Sequence, residues 1–170
     1  EVPYPYGDYL YYSKTMKGKS YPIHCRKPLD GDDMKGEQIV LDENVISEDH
    51  EYIDVSAIAV SPDHTLVAYS VDYDGSETYA MTVKNMLTGE VLSDVIEDIS
   101  GEIVWGNDNS ALFYLKMDDE HRPNRVYMHI LGTKQEEDIL YLQENDSRYN
   151  MGIDKSASDR FLFMGGDSVE

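Results

Sequence analysis

A strand-and-turn pattern that returns after about 45 residues is the strongest constraint on this chain. Tyr69 and Tyr114 lie 45 positions apart, as do Val83 and Met128. Each member of the second pair sits in an apolar run that ends at a turn with glycine, Thr88-Gly89-Glu90 in one copy and Leu131-Gly132-Thr133 in the other. A third start spans Tyr149 to Met164, where Ser156-Ala157-Ser158-Asp159 replaces the earlier turn and Phe161-Leu162-Phe163 the strand. An offset copy opens the chain, since Tyr12-Ser13, Gly18 and Tyr21 echo Tyr69-Ser70, Gly75 and Tyr79. Such a period, with four strands per unit, is the signature of a β-propeller blade, a unit that buries its apolar faces only against its neighbours. On periodicity alone, an antiparallel sandwich with evenly spaced hairpins is the alternative.

The local pattern agrees. Short apolar bursts at Tyr9 to Tyr12, Leu66 to Val71, Leu112 to Leu115 and Phe161 to Met164 read as strands. Between them lie turn clusters in which Pro fixes φ and Gly or Asn accepts positive φ: Ser61-Pro62-Asp63-His64, Asp74-Gly75-Ser76 and Gly106-Asn107-Asp108-Asn109. The only helical signal is one short turn over Asn44 to Glu51, opened by Asp42 or Asn44. The expected fold is all-β, a partial β-propeller of about three to three and a half four-stranded antiparallel blades. The spans are 4–54, 55–99 and 100–146, with a further blade starting at 147–170. Inner strands are expected near Ile58 to Val60 and Ile103 to Trp105, and outer strands at Val83 and Met128. A propeller closes with at least four blades, and the chain opens on Glu rather than Met, so a piece of a longer protein is expected.

Composition narrows the partners. Against 34 acidic residues stand 14 basic ones, a formal charge of −20, which repels nucleic acid and anionic membrane. An aromatic share of 11%, including 14 Tyr, separates the chain from disordered acidic sequences. The single cysteine, Cys25, forms no internal disulfide, no bilayer-length apolar run occurs in these residues, and no leader is expected. A soluble, reducing, cytoplasmic setting is expected.

Candidate chemistry is sparse. Gly166-Asp167-Ser168-Val169-Glu170 approaches the Gly-x-Ser-x-Gly elbow of a nucleophilic serine but ends on Glu and has no helix behind it. Ser76 and Ser100 read as turn residues. His24, His50, His64, His121 and His129 include no pair at the i, i+4 spacing of a helical metal site, and His24 and His129 read as equivalent strand ends with a packing role. Asp30-Gly31-Asp32-Asp33 and the pair Asp72 and Asp74 look like calcium loops but lack the Gly and Glu that such a loop requires. They are expected to be solvated. Arg26 and Lys27 beside Cys25 could lower its thiol pKa, although a lone strand cysteine usually only packs. Asn145-Asp146-Ser147 matches a glycosylation acceptor, which carries no meaning in a cytosolic chain. No catalytic, cofactor-binding or metal residue is assigned, and no cofactor is expected.

Four stretches carry a resemblance to a known family. They are Gly7-Asp8-Tyr9-Leu10-Tyr11-Tyr12-Ser13 with Gly18 to Arg26; Leu41-Asp42-Glu43-Asn44; Val60 to Asp72 followed by Gly75-Ser76-Glu77-Thr78-Tyr79; and Asp118 to Val126 with His129 and Leu131-Gly132-Thr133. In these the sequence resembles the prolyl oligopeptidase family of serine peptidases, the last stretch being most similar to the oligopeptidase B branch, which cuts after Arg and Lys. The resemblance covers essentially the whole chain. It implies a seven-bladed propeller joined to an α/β-hydrolase domain that holds the Ser, Asp and His of the catalytic triad. None of that domain is present, so no catalytic residue carries over.

The implied role is non-catalytic: a propeller wall whose narrow channel admits only short peptides, with the hydrolase domain of the same chain and short basic peptides as partners. Acidic clusters at Asp30, Asp32, Asp33; Glu48, Asp49, Glu51; Asp118, Asp119, Glu120; and Glu136, Glu137, Asp138 would then attract substrate. Surface charge for solubility, or adaptation to salt, explains them equally well. A stand-alone propeller scaffold is the rival reading. It would be expected to carry recurring Trp-Asp and Gly-His pairs, whereas the one tryptophan, Trp105, precedes Gly106. An inactive truncated product is a third.

Overall fold

The computed structural model describes residues 2–30, 36–156 and 158–168, and the chain divides into two compact units, 1–53 and 54–170. The first unit is one four-stranded antiparallel sheet in chain order: β1 (Tyr4–Tyr6), β2 (Tyr9–Lys14), β3 (Ile23–Pro28) and β4 (Gln38–Asp42). A single helical turn, α1 (Glu43–Ile46), follows, then a 3₁₀ turn at Ser47–Asp49. Asp42 caps α1, accepting from the Asn44 amide at 2.9 Å. Asn44 instead brackets Tyr21, its side chain bonding both the Tyr21 carbonyl and the Tyr21 amide.

The second unit carries two four-stranded antiparallel sheets and one two-stranded sheet. The second sheet is β5 (Asp54–Val60), β6 (Leu66–Asp72), β7 (Tyr79–Asn85) and β8 (Val91–Ile99). The third is β9 (Ile103–Trp105), β10 (Ala111–Met117), β11 (Pro123–Ile130) and β12 (Ile139–Gln143). The fourth pairs β13 (Tyr149–Lys155) with β14 (Leu162–Ser168).

Pairing repeats in register. Ile58, Ala59 and Val60 oppose Tyr69, Ala68 and Val67, and 45 residues on Ile103, Val104 and Trp105 oppose Tyr114, Phe113 and Leu112. The turn that joins first to second strand repeats as well. Ser61, Gly106 and Ser156 each donate their backbone N–H to the residue five positions on, at 2.8–2.9 Å. Each turn holds one residue in the left-handed region, His64 (φ 60), Asn109 (φ 60) and Asp159 (φ 55), all side-chain types enriched there. Val83 and Met128 do occupy equivalent strands, but these are the third of four. The outer edge belongs to β8 and β12, so the expectation of outer strands at 83 and 128 is corrected. The glycine turns after Val83 and Met128 link third to fourth strand rather than closing the unit. The polar run Ser93, Asp94, Glu97, Asp98 in β8 hid the fourth strand.

Apolar faces stack between successive sheets of this unit. Between the second and third lie Ala68, Met81, Val83, Ile96, Ile99, Ile103, Trp105, Leu112 and Tyr114, all buried. Between the third and fourth lie Leu115, Val126, Met151 and Ile153. Trp105 also donates its indole N–H to the Ala59 carbonyl at 2.8 Å, satisfying a polar atom that burial would otherwise penalise.

Asp72 closes the β6–β7 hairpin. Its Oδ1 accepts the amides of Asp74 and Gly75 and its Oδ2 that of Glu77, each at 2.9 Å, and the residue is 1% exposed. It is a buried turn anchor rather than the solvated loop residue expected. Burial raises its pKa, but the backbone donors outweigh burial and hold the carboxyl below its ordinary value.

Two stability experiments follow. Gly101 (φ +101) has its hypothetical Cβ 2.5 Å from Ser56 Oγ and 2.7 Å from Ser56 Cβ, whereas Gly89 (φ +77) has nothing within 4 Å. In urea unfolding, Gly101→Ala is expected to cost about 2–4 kcal/mol and Gly89→Ala about 1 kcal/mol, the left-handed backbone alone. Asp72→Ala is expected to lose about 2 kcal/mol at neutral pH. Because folding lowers the Asp72 pKa, its contribution exists above the unfolded value of about 3.9 and drains as pH falls through the lower native one. The variant's stability should therefore change less with pH than the parent's below about pH 4.

Candidate functional site

The stretch that most resembles a peptidase branch, Asp118 to Val126, forms the β10–β11 hairpin and the strand after it. Asp118 Oδ1 accepts the amides of Glu120 and Arg122 at 3.0 and 3.1 Å, while His121 takes the left-handed position (φ 58). Asp118 Oδ2 accepts Arg122 Nε at 2.9 Å. Arg122 then turns outward from the hairpin: Nη1 donates to the carbonyls of Asp146 (3.0 Å) and Tyr149 (2.7 Å), and Nη2 to that of Glu144 (3.5 Å). One guanidinium thus holds the hairpin of the third sheet to the 144–148 link that leads into the fourth. Burial pushes the Asp118 carboxyl up, yet the amide donors and Arg122 together hold it below its usual range. In the link, Asp146 meets Arg148 at 2.6 Å, and hydrogen bonding to Arg148 brings its pKa down to about 2.

The acidic clusters do not converge. Asp119 and Glu120 are exposed at the β10–β11 end of the third sheet, whereas Glu136 and Glu137 are exposed at the opposite, β11–β12 end. Asp118 and Asp138 are occupied inside the structure. Asp30, Glu48, Asp49 and Glu51 are exposed in the first unit. Asp32 and Asp33, with Gly31, lie outside the described residues.

Other sequence candidates separate in the same way. Gly166, Asp167 and Ser168 lie on β14, paired with Met151, Asn150 and Tyr149, so the described part of the elbow-like string is extended strand; Val169 and Glu170 lie outside the described residues. Ser76 follows the Asp74 turn, its amide bonded to Asp74 Oδ1 at 3.0 Å, and the Ser100 amide bonds the Leu115 carbonyl at 2.9 Å. Cys25 is fully buried, and burial pushes its thiol pKa up, the reverse of the lowering considered from Arg26 and Lys27. Arg26 turns to Gln38 (2.8 Å) and over the Tyr9 ring (4.2 Å). In the sequon, Asn145 Oδ1 accepts from Gln143 at 2.9 Å. Among the described residues no group of three metal-ligating side chains gathers, and no helix is long and apolar enough to cross a membrane.

His24 and His129 are not equivalent. Each lies in the third strand of its sheet, but His24 is near the start of β3, against Glu43 at 2.7 Å, and His129 near the end of β11. His129 is fully buried between two carboxylates, Nδ1 2.6 Å from Asp138 Oδ1 and Nε2 3.1 Å from Asp94 Oδ1. Tyr114 donates to Asp138 Oδ2 at 2.7 Å, and Gly132 donates its amide to Asp94 Oδ1. Burial, and Asp138 beside it, push the Tyr114 pKa up. This cluster, not apolar packing, is what His129 does. Sequence reading missed it because Asp138 sat in a surface-like acidic run and Asp94 in the unrecognised fourth strand.

Comparison with known proteins gives these features a setting. The chain is similar to dipeptidyl aminopeptidase BI of Pseudoxanthomonas mexicana, 35% identical over 99% of this chain and 25% of that protein, and to protease 2 of Moraxella lacunata, 34% identical over 99% and 25%. It spans about a quarter of the length of the curated relatives it matches. Among solved structures, oligopeptidase B from Leishmania major superposes with a TM-score of 0.93, at 34% identity, over 97% of this chain and 23% of that one. Oligopeptidase B from Trypanosoma brucei, with covalently bound antipain in a closed form, gives 0.86 at 36% identity over 95% and 23%. These likenesses settle the choice between sandwich and propeller: the sheets are propeller blades, and the all-β, partial-propeller fold is the one expected from the repeat. The family model for the prolyl oligopeptidase N-terminal β-propeller domain matches residues 1–168, and the chain belongs to that family.

Proposed function

We propose that the chain is the N-terminal portion of a seven-bladed propeller in a serine oligopeptidase that cuts short peptides after Arg or Lys, with blades at 4–54, 55–99 and 100–146 and the next begun at 147–170. Its role is to wall the channel to a catalytic α/β-hydrolase domain carried by the same polypeptide. That domain supplies the serine, its general base and the oxyanion hole. The segment supplies exclusion, because a narrow channel passes an extended peptide and rejects a folded chain. The single cysteine supports a cytoplasmic setting. The observation that carries the proposal is the likeness to oligopeptidase B structures across nearly the entire chain, reinforced by the Asp118 to Val126 stretch.

Asp118 is bound to its own hairpin and Arg122, so the residues of that cluster available to a basic substrate are Asp119 and Glu120.

The reading is tested on the intact protein by comparing kcat/KM for matched peptide amides with Arg, Lys or Pro before the scissile bond. A preference of about a hundredfold or more for Arg and Lys is expected, together with loss of cleavage as peptides lengthen into folded proteins. A preference for Pro would assign the chain to the prolyl-specific branch. Residues 1–170 alone should leave all these substrates intact. The double variant Asp119→Asn, Glu120→Gln should lower kcat/KM for dibasic peptides by a few-fold at low salt. The loss should shrink toward 0.15 M, where the screening length is about 8 Å. An unchanged low-salt value would make the two carboxylates plain surface charge.

A further inference from the structure

The 131–138 connection of the third sheet crosses to β8, the outer strand of the second. Gln135 clasps the Glu97 backbone, accepting its N–H at 3.0 Å and donating to its carbonyl at 2.8 Å, as an added strand would. The Gly132 amide and His129 Nε2 both reach Asp94 Oδ1, the latter at 3.1 Å. We infer that Asp94, His129 and Asp138 form a protonation-dependent clasp that ties the outer strand of the second sheet to the third.

The argument is one of donors and acceptors. Each ring nitrogen of His129 faces a carboxylate oxygen, and a neutral imidazole has one N–H for two such contacts. Both carboxylates already act as acceptors elsewhere, Asp138 Oδ2 for the Tyr114 hydroxyl and Asp94 Oδ1 for the Gly132 amide, which places both protons on the ring. The groups facing the imidazole are therefore Asp94 from β8 and Asp138 from the connection. Tyr114 from β10 stands behind Asp138, with the Tyr127 ring of β11 stacked on it at 5.7 Å. The Tyr114 hydroxyl stays a donor to Asp138, because burial and Asp138 itself raise its pKa.

Loss of one ring proton is asymmetric. The 2.6 Å contact to Asp138 is the stronger, and it lies wholly within the third sheet and its own connection. The proton leaves from Nε2, whose 3.1 Å contact crosses between sheets. Asp94 then faces a lone pair with its side chain 3% exposed, beyond the reach of water unless the structure opens locally. The clasp is closed while Nε2 carries its proton and opens when that proton is lost.

The test uses the intact protein with isotope-labelled histidine. Across the pH range in which the protein stays folded, nitrogen NMR should show two ring N–H groups on His129 at the acid end and one, on Nδ1, at the alkaline end. Over the same interval the protection factors of the Gly132 and Glu97 amides, corrected for intrinsic exchange, should fall by about tenfold or more. In Asp94→Asn the protection of these amides should not change with pH. A single ring N–H at both ends of that range, or protection independent of pH in the parent protein, overturns the inference. The ring measurement decides the matter even if the variant does not fold.

Discussion

A sheet that is apolar on both faces can exist only between two others, and the third sheet is in that position. Along β10, Leu112 and Tyr114 point toward the second sheet while Phe113 and Leu115 point toward the fourth. Such a strand has no polar face to offer water, so its burial depends on neighbours of matching pitch. The repeat in register is the consequence. Trp105 reaches the Ala59 carbonyl of the preceding sheet, and the first-to-second-strand pairs of these two sheets recur at an offset of 45. The first-to-second-strand turns, with left-handed His64 and Asn109 45 residues apart, fix where these second strands begin, and Asp159 does the same for the fourth sheet at a spacing of 50.

This dependence explains what was legible in the sequence. The four apolar bursts read as strands all became second strands, β2, β6, β10 and β14. In β10, burial on both faces makes the run continuous and conspicuous. Fourth strands lie at the sheet edge, where β8 carries Asp94, Glu97 and Asp98 among its apolar residues, so its period is blurred and the outer edge was placed one strand too early. The short helix was visible through its cap, because Asp42 acts on a residue two positions away. His129 was not visible, since its partners stand 35 and 9 positions away and only the pairing of sheets brings them together.

The charge surplus also takes on a different meaning. A net −20 suggests a field, and several of the carboxylates behind it also bind backbone amides of their own turns. Asp63 binds the Thr65 amide, Asp108 that of Ser110, Asp72 three amides of its hairpin, and Asp118 two of the next. These side chains do locally what a helix cap does, satisfying N–H groups that a tight turn leaves without a partner. A repeat rich in turns is therefore rich in aspartate for reasons of folding.

Arg122 gives the link between the third and fourth sheets a property that chain connectivity alone does not provide. With Glu144, Asp146 and Tyr149 carbonyls all drawn to one guanidinium, residues 144–148 behave as a strut instead of a string. Tension applied to the fourth sheet is carried sideways into the β10–β11 hairpin through charge-assisted hydrogen bonds loaded in parallel. A pull that would straighten an ordinary loop must here break several such bonds at once, so the two sheets move as one mechanical element.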